Sequence, residues 1–159
     1  MQSTVELVGS LSNKQAIALL ERLNQEIYEA VTYDEVERSA RPEARTSLKV
    51  EPDALEELMD SESSIKAARM LLTAIARDPG LAPVVEQAWD TIRKDHRLMV
   101  VETVLAVGLV MNLTLFMSTT ELEFKVGKLK LKKKAADAKL LKELLVPVTA
   151  LIKKFTPGS

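Results

Sequence analysis

Side chains that could do chemistry are few in this sequence, and they are scattered. His96 is the single histidine, and it stands in the polar run Lys94-Asp95-His96-Arg97. A histidine-based triad needs a nucleophile in a context such as Gly-x-Ser-x-Gly, and a metal site needs several ligands at regular spacing. The sequence has neither pattern. We therefore interpret His96 as a surface or helix-capping residue.

The carboxylates do not suggest a catalytic pair. Glu102 lies inside an apolar stretch, where burial would raise its pKa, but a buried charge is normally paired, so a structural role is favoured. The acidic residues between positions 56 and 62 have no feature that places them in a pocket, and such charge runs are usually solvated. The glycines form neither a Gly-x-Gly-x-x-Gly motif nor a Walker loop. The sequence thus predicts no catalytic, cofactor-binding or metal-binding residue, no cofactor and no enzymatic activity.

Charge is distributed unevenly, although the formal net charge is only −1. Residues 1–95 carry 18 acidic and 11 basic side chains, a net charge of −7, whereas residues 96–159 carry 5 acidic and 11 basic, a net charge of +6. This split indicates either mutual contact between the two regions or two surfaces for different partners. The absence of cysteine and of a signal-peptide pattern at the start favours a cytoplasmic location.

Helix signals dominate residues 1–97, the acidic helical region. Ser12 and Gln15 form a capping box ahead of an apolar stripe, and this helix is predicted to run on towards Ala40, since Pro42 would end it. The stripe consists of Ile17, Leu20, Leu23, Ile27 and Val31. Further helices are predicted at about 52–60, 65–77 and 82–95, with a firm turn at residues 78–80.

The segment Leu98–Met117 is apolar on nearly every side. Its length matches a bilayer span, but Glu102 would cost ~2.5–3.5 kcal/mol at the middle of a membrane helix. The amphipathic helices also need a common partner to bury their apolar faces against. We therefore expect a buried core helix, with a membrane span as the alternative.

After this segment, apolar and charged residues alternate along residues 121–132, and this period of two predicts a β-hairpin. Gly127 suits the first central position of a two-residue type II′ turn. The apolar face of this register pairs Val126 with Leu129 and Phe124 with Leu131. The polar face pairs Glu123 with Lys132, Glu121 with Lys134, and Lys125 with Lys130, and the last of these pairs brings like charges together.

A last helix is predicted at about 135–155, with a kink at Pro147. The expected fold class is therefore α+β and mostly helical: a helical bundle with a C-terminal β-hairpin and a final kinked helix. Residues 98–159, which hold the apolar helix, the hairpin and this last helix, are expected to form one compact domain with residues 1–97.

Two parts of the chain resemble a known class of proteins. SLSNKQAIALLERL resembles the start of small effector-associated and death-like adaptor domains of bacterial conflict systems. DPGLAPVVEQAW, the apolar helix and TTELEFKVGKLKLKKKAADAKLLKELL resemble small proteins associated with caspase-like proteases in such systems. The resemblance implies an adaptor, or an effector subunit tied to a signalling protease or NTPase, and it implies no active site.

The expected function is a non-catalytic protein–protein interaction or adaptor module that self-associates or binds a protein partner. Its predicted contact residues form two faces, the acidic face of the first helix and a basic face of the hairpin: Glu21, Glu29, Asp34, Glu35 and Glu37 on the helix, and Lys125, Lys130 and Lys132 on the hairpin. One alternative is a membrane-associated effector that inserts residues 98–117. The other is a nucleic-acid binder that would use the lysine run between residues 125 and 134. It is less favoured because this run has no arginine and the one aromatic residue beside it, Phe124, is assigned to the core.

Overall fold

The computed structural model describes residues 3–42, 44, 61–94, 105–119, 121–134, 139–140 and 142–146. The helices are α1 (Thr4–Ser10), α2 (Asn13–Ala30), α3 (Tyr33–Ser39), α4 (Ser61–Arg77), α5 (Ala82–Lys94) and α6 (Leu105–Met117). Two antiparallel strands follow, β1 (Leu122–Val126) and β2 (Leu129–Lys133), and residues 142–146 are again helical. The predicted fold class, mostly helical α+β with a C-terminal hairpin, is confirmed.

Several predictions lie outside the described residues. They are the helix at 52–60, the environments of His96 and Glu102, and the kink at Pro147.

Helix α2 is the centre of the bundle. The predicted capping box is present: Ser12 Oγ accepts from the Gln15 amide at 3.1 Å, and Gln15 Oε1 accepts from the Ser12 amide at 2.9 Å. Residues 16–20 are all buried, because α2 contacts α4, α5, α6 and β1 on different sides. The predicted stripe is also buried along its whole length, from Ile17 to Val31.

The predicted continuation of this helix to Ala40 is wrong. α2 ends at Ala30, Val31 is extended, and α3 begins after Thr32. The reason is local: Thr32 Oγ1 accepts from the Glu35 amide at 3.2 Å, which caps a new helix. The chain can therefore change direction while Val31 and Val36 both remain buried.

Helix α6 lies in the core. Val110, Leu113 and Phe116 are fully buried, and α6 packs against α4 and α2. The Phe116 ring meets the Phe124 ring of β1 edge to face, with 5.7 Å between centroids. The expected core packing is therefore confirmed for the described part of Leu98–Met117. Within the described ranges, no helix combines the length and the apolar character needed to cross a bilayer.

The hairpin has the predicted register, with Val126 opposite Leu129 and Phe124 opposite Leu131. Gly127 has a φ of 59°, and no non-glycine residue of the described chain has a positive φ, so the turn is type II′ as expected. One predicted pair is wrong: Glu121 contacts Lys132 rather than Lys134, because the ladder ends at the Leu122–Lys133 pair.

Two connections bring distant segments against the base of the hairpin. An isolated β-bridge joins Ala40, after α3, to Thr119, after α6. The Asp78–Gly80 turn between α4 and α5 lies directly on the β2 backbone, and Asp78 Oδ1 accepts from the Gly80 amide at 2.8 Å. The ends of α3, α4 and α6 therefore converge where β2 ends.

Candidate interaction surfaces

The hairpin lysine face consists of Lys125, Lys130 and Lys132, which all lie on the exposed side of the two strands. The structure thus brings together the three basic residues predicted from the sequence. Lys132 is held by Glu121 at 2.9 Å and by Glu123 at 3.9 Å. Lys125 and Lys130 are directly opposite each other, and neither forms an ion pair with any described residue.

The acidic face is formed by two helices rather than one. Glu29 is exposed at the end of α2, and Asp34, Glu35 and Glu37 are exposed on α3, whereas Glu21 is half-buried on α2. The prediction that these residues share one helix is therefore wrong, because the helix breaks at Val31. The carboxylates of Glu29, Asp34, Glu35 and Glu37 are nevertheless exposed to solvent.

An exposed aromatic side chain accompanies the acidic face. Tyr33 is 51% exposed, and its ring stacks on Tyr28 with 6.2 Å between centroids. The Tyr28 hydroxyl donates to the Asn112 carbonyl of α6 at 2.6 Å, which anchors the pair to the core. Burial raises the pKa of Tyr33, and the Glu37 carboxylate raises it further.

The ion pairs of the described chain are local. Within α2, Arg22 forms an ion pair with Glu26 at 3.0 Å. Within α5, Asp90 forms ion pairs with Arg93 at 2.7 Å and with Lys94 at 2.8 Å. Within the described ranges, none joins the acidic face to the hairpin lysine face.

Lys133 is not among the residues that the sequence analysis singles out, yet it has the most unusual environment of the hairpin lysines. Its side chain is fully buried on the inner face of the hairpin. Nζ donates to the Thr119 carbonyl at 3.0 Å and to the Lys134 carbonyl at 2.9 Å, and it lies 5.9 Å from the centre of the Phe116 ring. The alternation along β2 indicates this burial, because residues 129, 131 and 133 point to the same side of a strand.

Burial lowers the pKa of Lys133 to about 8, because desolvation disfavours the ammonium form. The Asp78 carboxylate opposes this shift, and the Arg41 guanidinium adds to it. At neutral pH the protein therefore holds a cation in its interior, at a cost in folding free energy.

This burial predicts a rise in stability at alkaline pH. Between about pH 8 and the ordinary value of 10.5, the folded chain releases the Lys133 proton while the unfolded chain keeps it. The free energy of unfolding should therefore increase by about 1–2 kcal/mol from roughly pH 7.5 to 9.5. Urea denaturation at several pH values measures the slope.

The variant Lys133→Met has no ammonium group to titrate at this position. Its free energy of unfolding should therefore change little with pH over the range in which the parent chain gains stability. Above about pH 10, ionisation of Tyr28 in the unfolded chain opposes the trend, because burial raises the pKa of Tyr28 in the folded state. Equal slopes for the variant and the parent chain would contradict the assignment.

A third charged surface lies between α4 and the helical residues near the C-terminal end of the described chain. It is an open groove of about 370 Å³. Three cations line it along α4, and Glu143 is its one acidic lining residue. The lining residues are Lys66, Arg69, Met70, Thr73, Ala74, Arg77, Leu140, Glu143 and Leu144.

Glu26 is a buried carboxylate that belongs to neither face. Its Oε1 binds Arg22, while Oε2 has no hydrogen-bond partner. Burial raises its pKa, and Arg22 partly offsets this effect. Among the described residues, no group of three or more His, Cys, Asp or Glu side chains converges as a metal site. Comparisons with protein-family models, curated proteins and solved structures find no match for this chain.

Proposed function

We propose that this chain is a non-catalytic protein–protein interaction module that docks its hairpin lysine face on an acidic protein surface. The observation that carries the proposal is the Lys125–Lys130 pair. Directly opposite residues of an antiparallel ladder hold their Cβ atoms about 5 Å apart, so like charges there repel each other. A carboxylate surface placed over the pair would relieve that repulsion.

A protein surface fits this face better than a nucleic acid does. Phe124, the one aromatic residue of the hairpin, is buried against Phe116 and so cannot stack on a base. Lysines act as point charges without the bidentate geometry that arginine offers to a base edge. What remains are the exposed ammonium groups of Lys125 and Lys130, which suit carboxylates on another folded surface.

The chain itself presents a surface of this kind, so a second copy is the first partner to test. The acidic face carries four exposed carboxylates, and no described ion pair neutralises it from the hairpin side. Contact between the acidic face of one copy and the hairpin lysine face of the next would be head-to-tail. The resemblance to adaptor proteins of bacterial conflict systems is consistent with such assembly.

Exchange of charges between the two faces tests the proposal. One variant carries Lys125→Glu with Lys130→Glu, and the other carries Glu29→Lys with Glu37→Lys. Each alone should sediment as a monomer at concentrations where the parent chain self-associates, because the first variant has two acidic faces and the second has lost the net negative charge of its acidic face. An equimolar mixture should associate again, since opposite faces meet between the two variants.

The mixture is decisive, because it restores association without restoring either sequence. Added salt should weaken both the parent assembly and the mixed one. If the parent chain stays monomeric at low salt, or the mixture does not associate, a second copy is not the partner. Tighter binding to phosphatidylserine vesicles or to single-stranded DNA than to a second copy would favour the membrane or nucleic-acid alternative.

A further inference from the structure

The groove between α4 and the helical residues Leu140, Glu143 and Leu144 has an apolar floor and a basic rim. Ala74 and Leu144 are buried beneath it, and Leu140 is half-buried at its side. Met70 is 40% exposed, which makes it one of the largest apolar side chains left open to water in the described chain. This groove uses none of the residues of the hairpin lysine face or the acidic face.

The rim cations are arranged as a row. Lys66, Arg69 and Arg77 lie on one helix, and the first and last of them are about 16 Å apart along its axis at 1.5 Å per residue. None of the three forms an ion pair with a described residue, and Arg69 donates only a long hydrogen bond of 3.3 Å to Asn13. Among the residues that line the groove, these three cations face the single carboxylate of Glu143, so the lining carries an excess of positive charge.

We propose that this groove binds an acidic amphipathic helix of another protein. Such a helix presents apolar side chains at i, i+3, i+4 and i+7 to a hydrophobic groove, and its flanking carboxylates would follow the row of cations. An anionic amphiphile has one headgroup and would engage one cation of the row. A nucleic acid would leave the apolar floor around Met70 unused.

This second surface extends the interaction function. The hairpin lysine face and the groove have different shapes and different apolar content, so they recognise different partners. A chain that uses both can hold two proteins at once, as an adaptor does.

Peptide binding tests the proposal with a defined probe. The probe is a fluorescein-labelled synthetic helix of roughly four turns, with leucine at the groove-facing positions and glutamate on both flanks. The matched control peptide has lysine in place of every glutamate, and dodecanoate serves as the amphiphile. Fluorescence anisotropy should show binding of the glutamate peptide only, with little displacement by dodecanoate.

Variants then locate the site. Lys66→Glu with Arg69→Glu should weaken peptide binding about tenfold or more, and Met70→Ala should weaken it several-fold by shrinking the apolar floor. The variant Arg93→Glu with Lys94→Glu on α5 makes the same change in net charge at exposed residues outside the groove and both faces, and it should leave the affinity unchanged. The hairpin variant Lys125→Glu with Lys130→Glu measures any binding of the peptide to the hairpin lysine face. Because Met70 is exposed, its variant retains the fold even if the double variant loses stability.

Four results would overturn the proposal. They are failure of the glutamate peptide to bind, equal binding of the lysine peptide, tighter binding of dodecanoate than of the peptide, and loss of binding in the hairpin variant but not in the groove variants. Competition by a chain carrying Lys66→Glu with Arg69→Glu, which cannot bind the probe in its own groove, would identify a second copy as the occupant if adding Glu29→Lys with Glu37→Lys abolished it, and would equally exclude a separate partner.

Discussion

Replacing Gly80 with alanine is expected to lower the free energy of unfolding by about 2–4 kcal/mol. A Cβ at this position would overlap the carbonyl oxygen of Lys132 and would lie 3.1 Å from its carbonyl carbon. Neither atom can move away easily, because Lys132 is paired with Glu123 in the ladder. The other neighbour, Asp78 Oδ1 at 3.2 Å, is held by its hydrogen bond from the Gly80 amide. The turn and β2 must therefore separate.

Gly9→Ala is the matched control for this substitution. Gly9 lies in α1, and nothing stands within 4 Å of the position that its Cβ would occupy. Alanine is the better helix former, so this variant should be more stable by about 0.5–1 kcal/mol. Urea denaturation of both variants measures the contrast. A Gly80→Ala chain as stable as its parent would show that the turn does not pack on β2 as described.

Lys133→Glu is expected to cost about 3–5 kcal/mol, because it leaves a buried charge without a partner. In the parent chain the ammonium group donates to the carbonyls of Thr119 and Lys134. A carboxylate has no proton to donate when ionised, so it would face those two oxygens, and Asp78 would repel it further. Loss of the folded state at room temperature is one form that this result can take.

Lys130→Glu is the control, with the same change of charge three residues away on the opposite side of β2. Lys130 is exposed, and Lys125 faces it across the ladder. The substitution replaces a like-charge pair with an opposite-charge pair, so stability should change little or should rise by a few tenths of a kcal/mol, on the order of one cross-strand pair. Similar losses in the two variants would contradict the burial of Lys133.

Local patterns were sufficient for much of the architecture. The capping box at Ser12 and the apolar stripe to Val31 predicted α2, since both act within one or two helical turns. The alternation in residues 121–132, together with Gly127, predicted the hairpin register and its turn type, because a strand exposes alternate residues and a type II′ turn requires a positive φ. The break at Thr32 was also local, since Thr32 and Glu35 have the spacing of a helix start.

The surfaces depend on packing between segments far apart in the chain, and no local pattern reports such contacts. Six lysines stand between residues 125 and 134, and strand alternation places Lys133 on the inner side of β2, but its complete burial needs the ends of α3, α4 and α6 to meet at the base of the hairpin. The groove likewise exists because Leu140, Glu143 and Leu144 lie beside α4. Their position places an apolar floor next to cations whose spacing along α4 is typical of a solvated helix face. Short-range periodicity therefore specified the elements and their inward faces, whereas the burial of a charge and the shape of a binding surface came from long-range contacts.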